Sequence, residues 1–174
     1  MQIRPIQASD YDAVNGLLHR AFNETPHGYD GEAELVTALR QEVKYNPQAE
    51  LVAVMDNQIV GTVLITPLIV DGPRSSTKGA ALAPLAVAPE YQQQGVGKAL
   101  MTEIEKVGRQ LGFRFIVILG WPDYYTKFGY QPAEQFNIHA PYDVPTENFM
   151  VKALVPDGLK NIDGTVRYLD SFGG

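Results

Sequence analysis

The chain has 174 residues, a net charge of −6 at neutral pH and no cysteine. Its length predicts a single domain over residues 1–174, and its 45% hydrophobic content suffices for a buried core. The lack of cysteine excludes disulfide bonds, cysteine zinc sites and a thiol nucleophile. The acidic balance argues against nucleic acid as a partner and is compatible with a cationic substrate.

No segment of the sequence indicates a membrane or an export signal. The N-terminal stretch "MQIRPIQASD" lacks the apolar core of a signal peptide. No apolar run approaches the roughly 20 residues that a membrane span needs. We therefore expect a cytoplasmic protein that does not contact a membrane.

The first half of the chain predicts strands and helices in turn. Alternating apolar and polar residues predict a strand over residues 1–6, and Ser9 with Asp12 resembles the capping box of a first helix. The apolar stripe of that helix comprises Val14, Leu17, Leu18, Ala21 and Phe22. A second helix is predicted from Glu32. Its apolar face comprises Leu35, Val36, Leu39 and Val43.

The middle of the chain reads as three strands. "ELVAVMDNQIVGTVLITPLIV" predicts two of them, joined by a tight hairpin turn at Asp56-Asn57. "AALAPLAV" predicts the third, and it contains Pro84. Proline cannot donate to a strand ladder, so we expect an edge or a bulge and a local break of the sheet at this position.

A helix is predicted after the stretch "YQQQGVGKAL". Its apolar residues recur every three or four positions, at Val96, Leu100, Ile104, Val107 and Leu111. Gly112 stands where a helix stop belongs. "FRFIVILG" then predicts a buried strand, "WPDYYTKFG" a short helix with Pro122 in its first turn, and "ENFMVKALV" a late strand. This order predicts a mixed α/β sheet with helices on both faces.

Two glycines, Gly95 and Gly97, precede this helix directly. The unpaired amides and the partial positive charge of a helix start bind anions, and glycine lets an anion approach the backbone. The alternative is a pair of ordinary loop glycines. The spacing excludes a P-loop, and no third glycine completes a dinucleotide-binding fingerprint.

The segment Gln92-Gln93-Gln94-Gly95-Val96-Gly97 resembles the Q/R-x-x-G-x-G/A signature of the GCN5-related N-acetyltransferase (GNAT) family. "LAPLAVAPEY" is similar to the family's bulged fourth strand, and "YYTKFGYQPA" to its Y-x-x-x-G-F/Y segment. The C-terminal stretch is similar to a branch of bacterial predicted acetyltransferases. The resemblance implies the GNAT fold, an α/β fold with a mixed, mostly antiparallel sheet and a bulged strand near Pro84.

The resemblance also implies the site. Acetyl-coenzyme A would be bound by Leu85, Val87, Gln92, Gln94, Gly95, Val96, Gly97 and Lys98. The main-chain N–H near Leu85 would polarise the acetyl oxygen, and Tyr125 would act as the general acid. Packing roles are the alternatives for Leu85, Val87 and Tyr125, and a solvated surface role is the alternative for Lys98.

The acceptor side of the site is less clearly marked. Candidate acceptor contacts are Glu24, His27, Glu32 and Trp121, and Glu34 lies in the same part of the chain as the first three. A solvated surface role is the alternative for these acidic residues and His27, and capping of the core is the alternative for Trp121. The strand "ALAPLAV" carries no titratable side chain, so a general base is missing there and a water chain could replace it. "GWPDYY" stands where many members of the family carry an asparagine. The three histidines show no metal spacing, and no metal is expected.

The leading hypothesis is transfer of acetyl from acetyl-coenzyme A to a primary amine of a small molecule or peptide, by direct attack in a ternary complex. The lack of cysteine disfavours an acyl-cysteine route. The alternative is a catalytically degenerate module that binds acyl-coenzyme A as a sensor. A weaker alternative is a nucleotide-phosphate binder unrelated to acyl transfer. A homodimer is left open.

Overall fold

The computed structural model describes residues 1–173. In chain order its helices and strands are β1 (Gln2–Pro5), α1 (Tyr11–Asn23), α2 (Glu32–Leu39), β2 (Glu50–Met55), β3 (Gln58–Asp71), β4 (Ser76–Val87), α3 (Val96–Gln110), β5 (Phe115–Leu119), α4 (Pro122–Tyr125), β6 (Gln131–Pro132), β7 (Ile138–His139), β8 (Phe149–Ala153) and β9 (Gly164–Arg167). Most strand pairings are antiparallel, and β4–β5 and β7–β9 are parallel, so the predicted mixed sheet is confirmed.

Backbone contacts divide the chain into two compact units. The first unit comprises Met1–Ile65 with Ala83–Val107, and the second comprises Thr66–Leu82 with residues 108–173. Strands β3 and β4 and helix α3 each contribute residues to both units. Within residues 1–173, no helix has the length and apolar character needed to cross a membrane.

The first unit is built on the strand order β1-β2-β3-β4. The hairpin predicted at Asp56-Asn57 is confirmed, because β2 and β3 pair antiparallel on either side of these two residues. Both have positive φ, 49° for Asp56 and 60° for Asn57, as a tight hairpin turn with the twist of its strands requires. A two-residue turn therefore connects β2 to the long strand β3.

Helix α3 packs closely on β3 within the first unit. A Cβ atom at Gly61 of β3 would lie 2.9 Å from side-chain atoms of both Val96 and Leu100, so glycine permits this close approach. Val96, Leu100 and Ile104 are buried, as their spacing predicts. The predicted stop is also confirmed, since the N–H groups of Gly112 and Phe113 donate back into the last turn of the helix.

Three details of the helix predictions are wrong. The capping box involves Gln7 and Asp10 rather than Ser9 and Asp12, because a short 3₁₀ turn precedes α1 and Gln7 N–H donates to Asp10 Oδ2 at 2.8 Å. Leu111 is exposed because α3 ends at Gln110.

The third error concerns the second helix. Helix α2 ends at Leu39, and Val43 is fully exposed. The turns after Leu39 let Arg40 reach the buried carboxylate of Glu50 on β2 instead of continuing the helix. Helical spacing alone could not detect this long-range partner.

Arg40 and Glu50 form a buried ion pair in the first unit. Their side chains are 4% and 1% exposed, and Arg40 Nη2 lies 2.6 Å from Glu50 Oε1. Arg40 Nε and the Tyr45 hydroxyl both donate to Glu50 Oε2, at 3.1 Å and 2.6 Å. The Arg40 guanidinium also stacks over the Tyr11 ring at 4.0 Å. Burial and the bond to Glu50 raise the pKa of Tyr45.

The second unit contains the remaining strands. Strand β5 pairs parallel with β4 and antiparallel with β8, and β9 pairs with both β3 and β7. Their side chains and those of the connecting loops form a core that includes Leu68, Val70, Phe115, Val117, Ile138, Phe149, Val151 and Val166. The strands predicted from "FRFIVILG" and "ENFMVKALV" are therefore confirmed as β5 and β8.

Pro84 lies inside β4, which continues to Val87. In the described chain, the parallel ladder of β4 with β5 pairs Ala80 with Ile116 and Ala81 with Val117, and so ends before Pro84. Strand β5 itself continues to Leu119. The ladder therefore stops short of the proline, as expected for a residue without an N–H donor.

Glu50→Ala should lower the free energy of unfolding by about 3–5 kcal/mol, because it leaves Arg40 buried without its counter-ion. Urea unfolding monitored by circular dichroism measures this change. Asp71→Ala is the matched control, because Asp71 pairs with Arg167 at the same 2.6 Å distance but on the surface. The control should change stability little, and equal losses in the two variants would contradict a special role of the buried pair.

Candidate functional site

The turn over residues 92–95 joins the 3₁₀ helix Pro89–Tyr91 to the start of α3. Two glutamine side chains hold this turn. Gln92 Nε2 donates to the carbonyl oxygen of Val87 at 3.1 Å, and Gln94 Nε2 donates to that of Glu90 at 2.9 Å. The turn is thus attached both to the end of β4 and to the 3₁₀ helix.

Gly95 provides the backbone conformation that the turn requires. Its φ of +84° lies in the left-handed region, which residues other than glycine rarely adopt. A Cβ atom at Gly95 would meet no atom within 4 Å, so the space beside the turn is open. The glycine is therefore needed for conformation and not for packing.

The start of α3 presents backbone amides without helical partners. The N–H of Ala99 donates to the carbonyl oxygen of Gly95 at 3.0 Å, which leaves Val96, Gly97 and Lys98 without an intrahelical acceptor. The first turn of α3 contains no acidic residue. Unpaired amides, the positive end of a helix and open space are the features with which proteins bind anions, so this turn is a candidate anion site.

The other predicted cofactor residues adjoin this turn in the first unit. Leu85 and Val87 are half-buried on β4, and the Val87 carbonyl is already engaged by Gln92. Lys98 is exposed in the first turn of α3. All eight predicted cofactor contacts therefore fall within one continuous segment, residues 85–98.

Tyr125 lies in α4 of the second unit, half-buried. Its ring packs against the backbone of Gly120, where a Cβ atom would overlap it. The Tyr124 ring contacts it edge-on at 5.0 Å, and the Tyr130 ring lies at 6.0 Å. Burial, followed by the neighbouring Tyr124, raises the pKa of the Tyr125 phenol. The phenol is therefore protonated throughout the neutral range.

Trp121 immediately precedes α4 and is 49% exposed. Its carbonyl oxygen accepts the N–H groups of Tyr124 and Tyr125, each at 3.1 Å. Pro122 occupies the first position of α4, as predicted. Trp121 and Tyr125 thus belong to one short structural unit.

The remaining acceptor candidates surround the connection between α1 and α2. Glu24 follows α1 and is exposed, as is His27 in the loop. Glu32 opens α2, and its Oε2 accepts the Asp30 N–H at 2.9 Å. The structure places all three in the first unit, whereas Trp121 and Tyr125 belong to the second.

Glu34 lies on the same connection, and its contacts with a neighbouring tyrosine were not predicted. The Tyr29 hydroxyl donates to Glu34 Oε2 and accepts the N–H of Ala33, and the His19 ring stacks on Tyr29 at 4.0 Å. The bond from Tyr29 holds the pKa of Glu34 below its usual value. No local spacing rule identifies a contact that joins two helices through a loop residue.

No group of three or more histidine, aspartate or glutamate side chains within residues 1–173 is arranged to hold a metal ion. Three kinds of polar or aromatic group lie among the candidate residues. They are backbone amides at a helix start, a half-buried phenol and a set of exposed carboxylates.

Comparison with known proteins identifies the class to which this fold and this glycine turn belong. The family model described as an acetyltransferase (GNAT) domain matches residues 2–133, and the chain belongs to this family of enzymes. The uncharacterised N-acetyltransferase YjhQ of Escherichia coli is 34% identical over 167 residues, which cover 93% of this chain and 88% of YjhQ. YhbS of the same organism is 32% identical over 173 residues, covering 99% and 98%.

Solved structures confirm the predicted GNAT fold. The crystal structure of Escherichia coli YhbS in complex with CoA has a TM-score of 0.87 and 30% identity, covering 99% of this chain and 92% of that one. A GNAT family acetyltransferase from Brucella melitensis in complex with acetyl-CoA has a TM-score of 0.76 and 27% identity, covering 98% and 97%.

Gly95→Ala should destabilise the protein by about 1–2 kcal/mol, because a Cβ atom is unfavourable at positive φ. Gly16→Ala is the matched control. A Cβ atom at Gly16 would also meet no atom within 4 Å, but Gly16 lies inside α1, so alanine should stabilise the protein by roughly 1 kcal/mol. Denaturant unfolding of both variants measures whether each substitution raises or lowers the free energy of unfolding. Stabilisation by Gly95→Ala would contradict the left-handed conformation of Gly95.

Proposed function

We propose that this protein transfers acetyl from acetyl-coenzyme A to a primary amine, which attacks the thioester directly in a ternary complex. The observation that carries this proposal is the open glycine turn at Gly95 together with the unpaired amides at the start of α3. The complexes of YhbS with CoA and of the Brucella enzyme with acetyl-CoA support it.

The turn and helix start fit the pyrophosphate of the coenzyme. Amides from Gly95 to Lys98 would donate to its oxygens, and the Lys98 ammonium would add a positive charge. Gln92 and Gln94 would act indirectly, because their side chains are already bonded to main-chain carbonyls and hold the turn in shape. The open space beside Gly95 leaves room for a bulky anion.

Each reacting group then has a proposed partner. A main-chain N–H near Leu85 would donate to the acetyl oxygen as negative charge develops there. The amine nitrogen forms the new bond to the acetyl carbon while the carbon–sulfur bond breaks. Tyr125 would give its phenolic proton to the departing sulfur, and the proton released by the amine would pass to water.

The two compact units would act together as one acetyltransferase domain. The family match over residues 2–133 includes residues of both units and supports this proposal. The acceptor contacts proposed for Glu24, His27, Glu32 and Trp121 rest on their exposed or half-buried positions.

A second candidate function is binding of acyl-coenzyme A without catalysis. Two observations favour it: the second half of β4 carries no titratable side chain, and the raised pKa of Tyr125 makes this phenol a weaker acid. A screen of primary amines that follows release of free thiol separates the two functions. Thiol release that depends on an amine supports the transferase, and binding without release supports the sensor.

Acetyl-coenzyme A at about 100 times its Kd should raise the melting temperature of the wild type by roughly 5–10 °C, from a stabilisation of about 2.7 kcal/mol. Gly97→Glu should abolish this shift, because a carboxylate would occupy the position of the pyrophosphate. Gly16→Glu, on the exposed side of α1, is the control for added charge and should retain the shift. Thermal denaturation with and without ligand measures all three, and a full shift in Gly97→Glu would place the anion elsewhere.

Tyr125→Phe should lower kcat about 10²–10⁴-fold with little change in the KM for acetyl-coenzyme A, because it removes the proton donor but keeps the ring. The raised pKa predicts that the wild type loses no activity through ionisation of this phenol below about pH 10. Tyr124→Phe is the matched control and should be nearly silent. Steady-state kinetics decides the assignment: full kcat in Tyr125→Phe rejects it, and loss in Tyr124→Phe alone identifies the other tyrosine.

A further inference from the structure

An ion pair joins α1 to the segment that leads into the glycine turn. Arg20 lies in the last turn of α1, and its Nη1 donates to Glu90 Oε1 at 2.9 Å. Both side chains are about half exposed, at 55% and 54%. Glu90 is the middle residue of the 3₁₀ helix Pro89–Tyr91 that directly precedes the turn.

Glu90 also contacts the turn itself. Its carbonyl oxygen accepts the side-chain amide of Gln94 at 2.9 Å, one residue before Gly95. Glu90 is the only acidic residue in the interval 88–102, which contains the turn and the first half of α3. The carboxylate therefore belongs to the same short segment as the amides that present positive charge.

The Glu90 carboxylate is ionised at neutral pH. A hydrogen bond from its own backbone N–H and the bond from Arg20 hold its pKa below the usual value. An ionised carboxylate in this segment opposes the approach of an anion, and the guanidinium of Arg20 supplies the balancing charge. Lys98 is the only cationic residue of the interval, and it has no ion-pair partner within residues 1–173.

We propose that Arg20 is a positioning residue for the anion site at the glycine turn: it neutralises Glu90 and holds the 89–94 segment, so that a pyrophosphate approaches without like-charge repulsion. This proposal rests on the proposed binding of coenzyme A. Arg20 acts through Glu90 and does not itself contact the ligand. Because the pair is exposed, its effect is modest and decreases as salt screens the charges.

The test is a charge cycle measured by calorimetric titration with coenzyme A at low salt. Arg20→Gln should raise Kd about two- to fivefold, the range expected for an exposed charge. Glu90→Gln should bind at least as tightly as the wild type. The double variant should match Glu90→Gln, because no carboxylate remains to be neutralised, and Arg20→Lys should restore wild-type affinity. At about 0.5 M salt the difference between wild type and Arg20→Gln should largely disappear.

Two controls separate the charge effect from general ones. On α3, Lys106 Nζ lies 2.6 Å from Glu103 Oε1 in an exposed ion pair. Glu103→Gln breaks this pair and should leave the Kd for coenzyme A unchanged. Pantetheine lacks the pyrophosphate, so its binding should not respond to Arg20→Gln.

The outcomes distinguish this proposal from the proposed function. If the double variant binds as weakly as Arg20→Gln, Arg20 does not act through Glu90 and the proposal is overturned. Wild-type affinity in Arg20→Gln also overturns it while leaving the coenzyme site intact. Absence of any binding to the wild type overturns both proposals together.

Discussion

Two side-chain hydrogen bonds set the position at which α3 begins. Gln92 donates to the carbonyl of Val87 at the end of β4, and Gln94 donates to that of Glu90 in the intervening 3₁₀ helix. The chain forms a turn over residues 92–95, and Gly95 adopts a positive φ at the last position of this turn. The unpaired amides of the helix start depend on this turn, since a shift of one residue would rotate their N–H groups by about 100°.

The packing of α3 on β3 supports this turn. Val96 and Leu100 lie so close to Gly61 of β3 that a side chain at this position would overlap them. The start of α3 is therefore closely packed on the side of β3 and open on the side of Gly95. The proposed electrostatic contribution of Arg20 comes from α1 and acts on the segment that precedes α3.

The sequence predicted the elements whose signals are local. The Asp56-Asn57 hairpin, the stripe of α3 and Pro122 at the start of α4 each depend on residues within a few positions of one another. Strands β6 and β7 have two residues each, and partners distant in the chain define them, such as Gly164 opposite Ile138. The prediction for Val43 was wrong for the same reason: the helix ends before Val43, and Arg40 pairs with Glu50, which lies outside the helical pattern. In the site, the glycine spacing identified the turn, whereas the pairing of Arg20 with Glu90 spans 70 positions and has no local signal.

Trp121 is the only tryptophan in the chain, and it is half exposed directly before the helix that carries Tyr125. The tryptophan fluorescence of the protein therefore comes from this single position. Emission wavelength and quenching by a soluble agent such as iodide report the polarity and accessibility of this segment alone. The protein thus contains an intrinsic optical probe next to its proposed acid, and amine ligands or unfolding at α4 can be followed without a label.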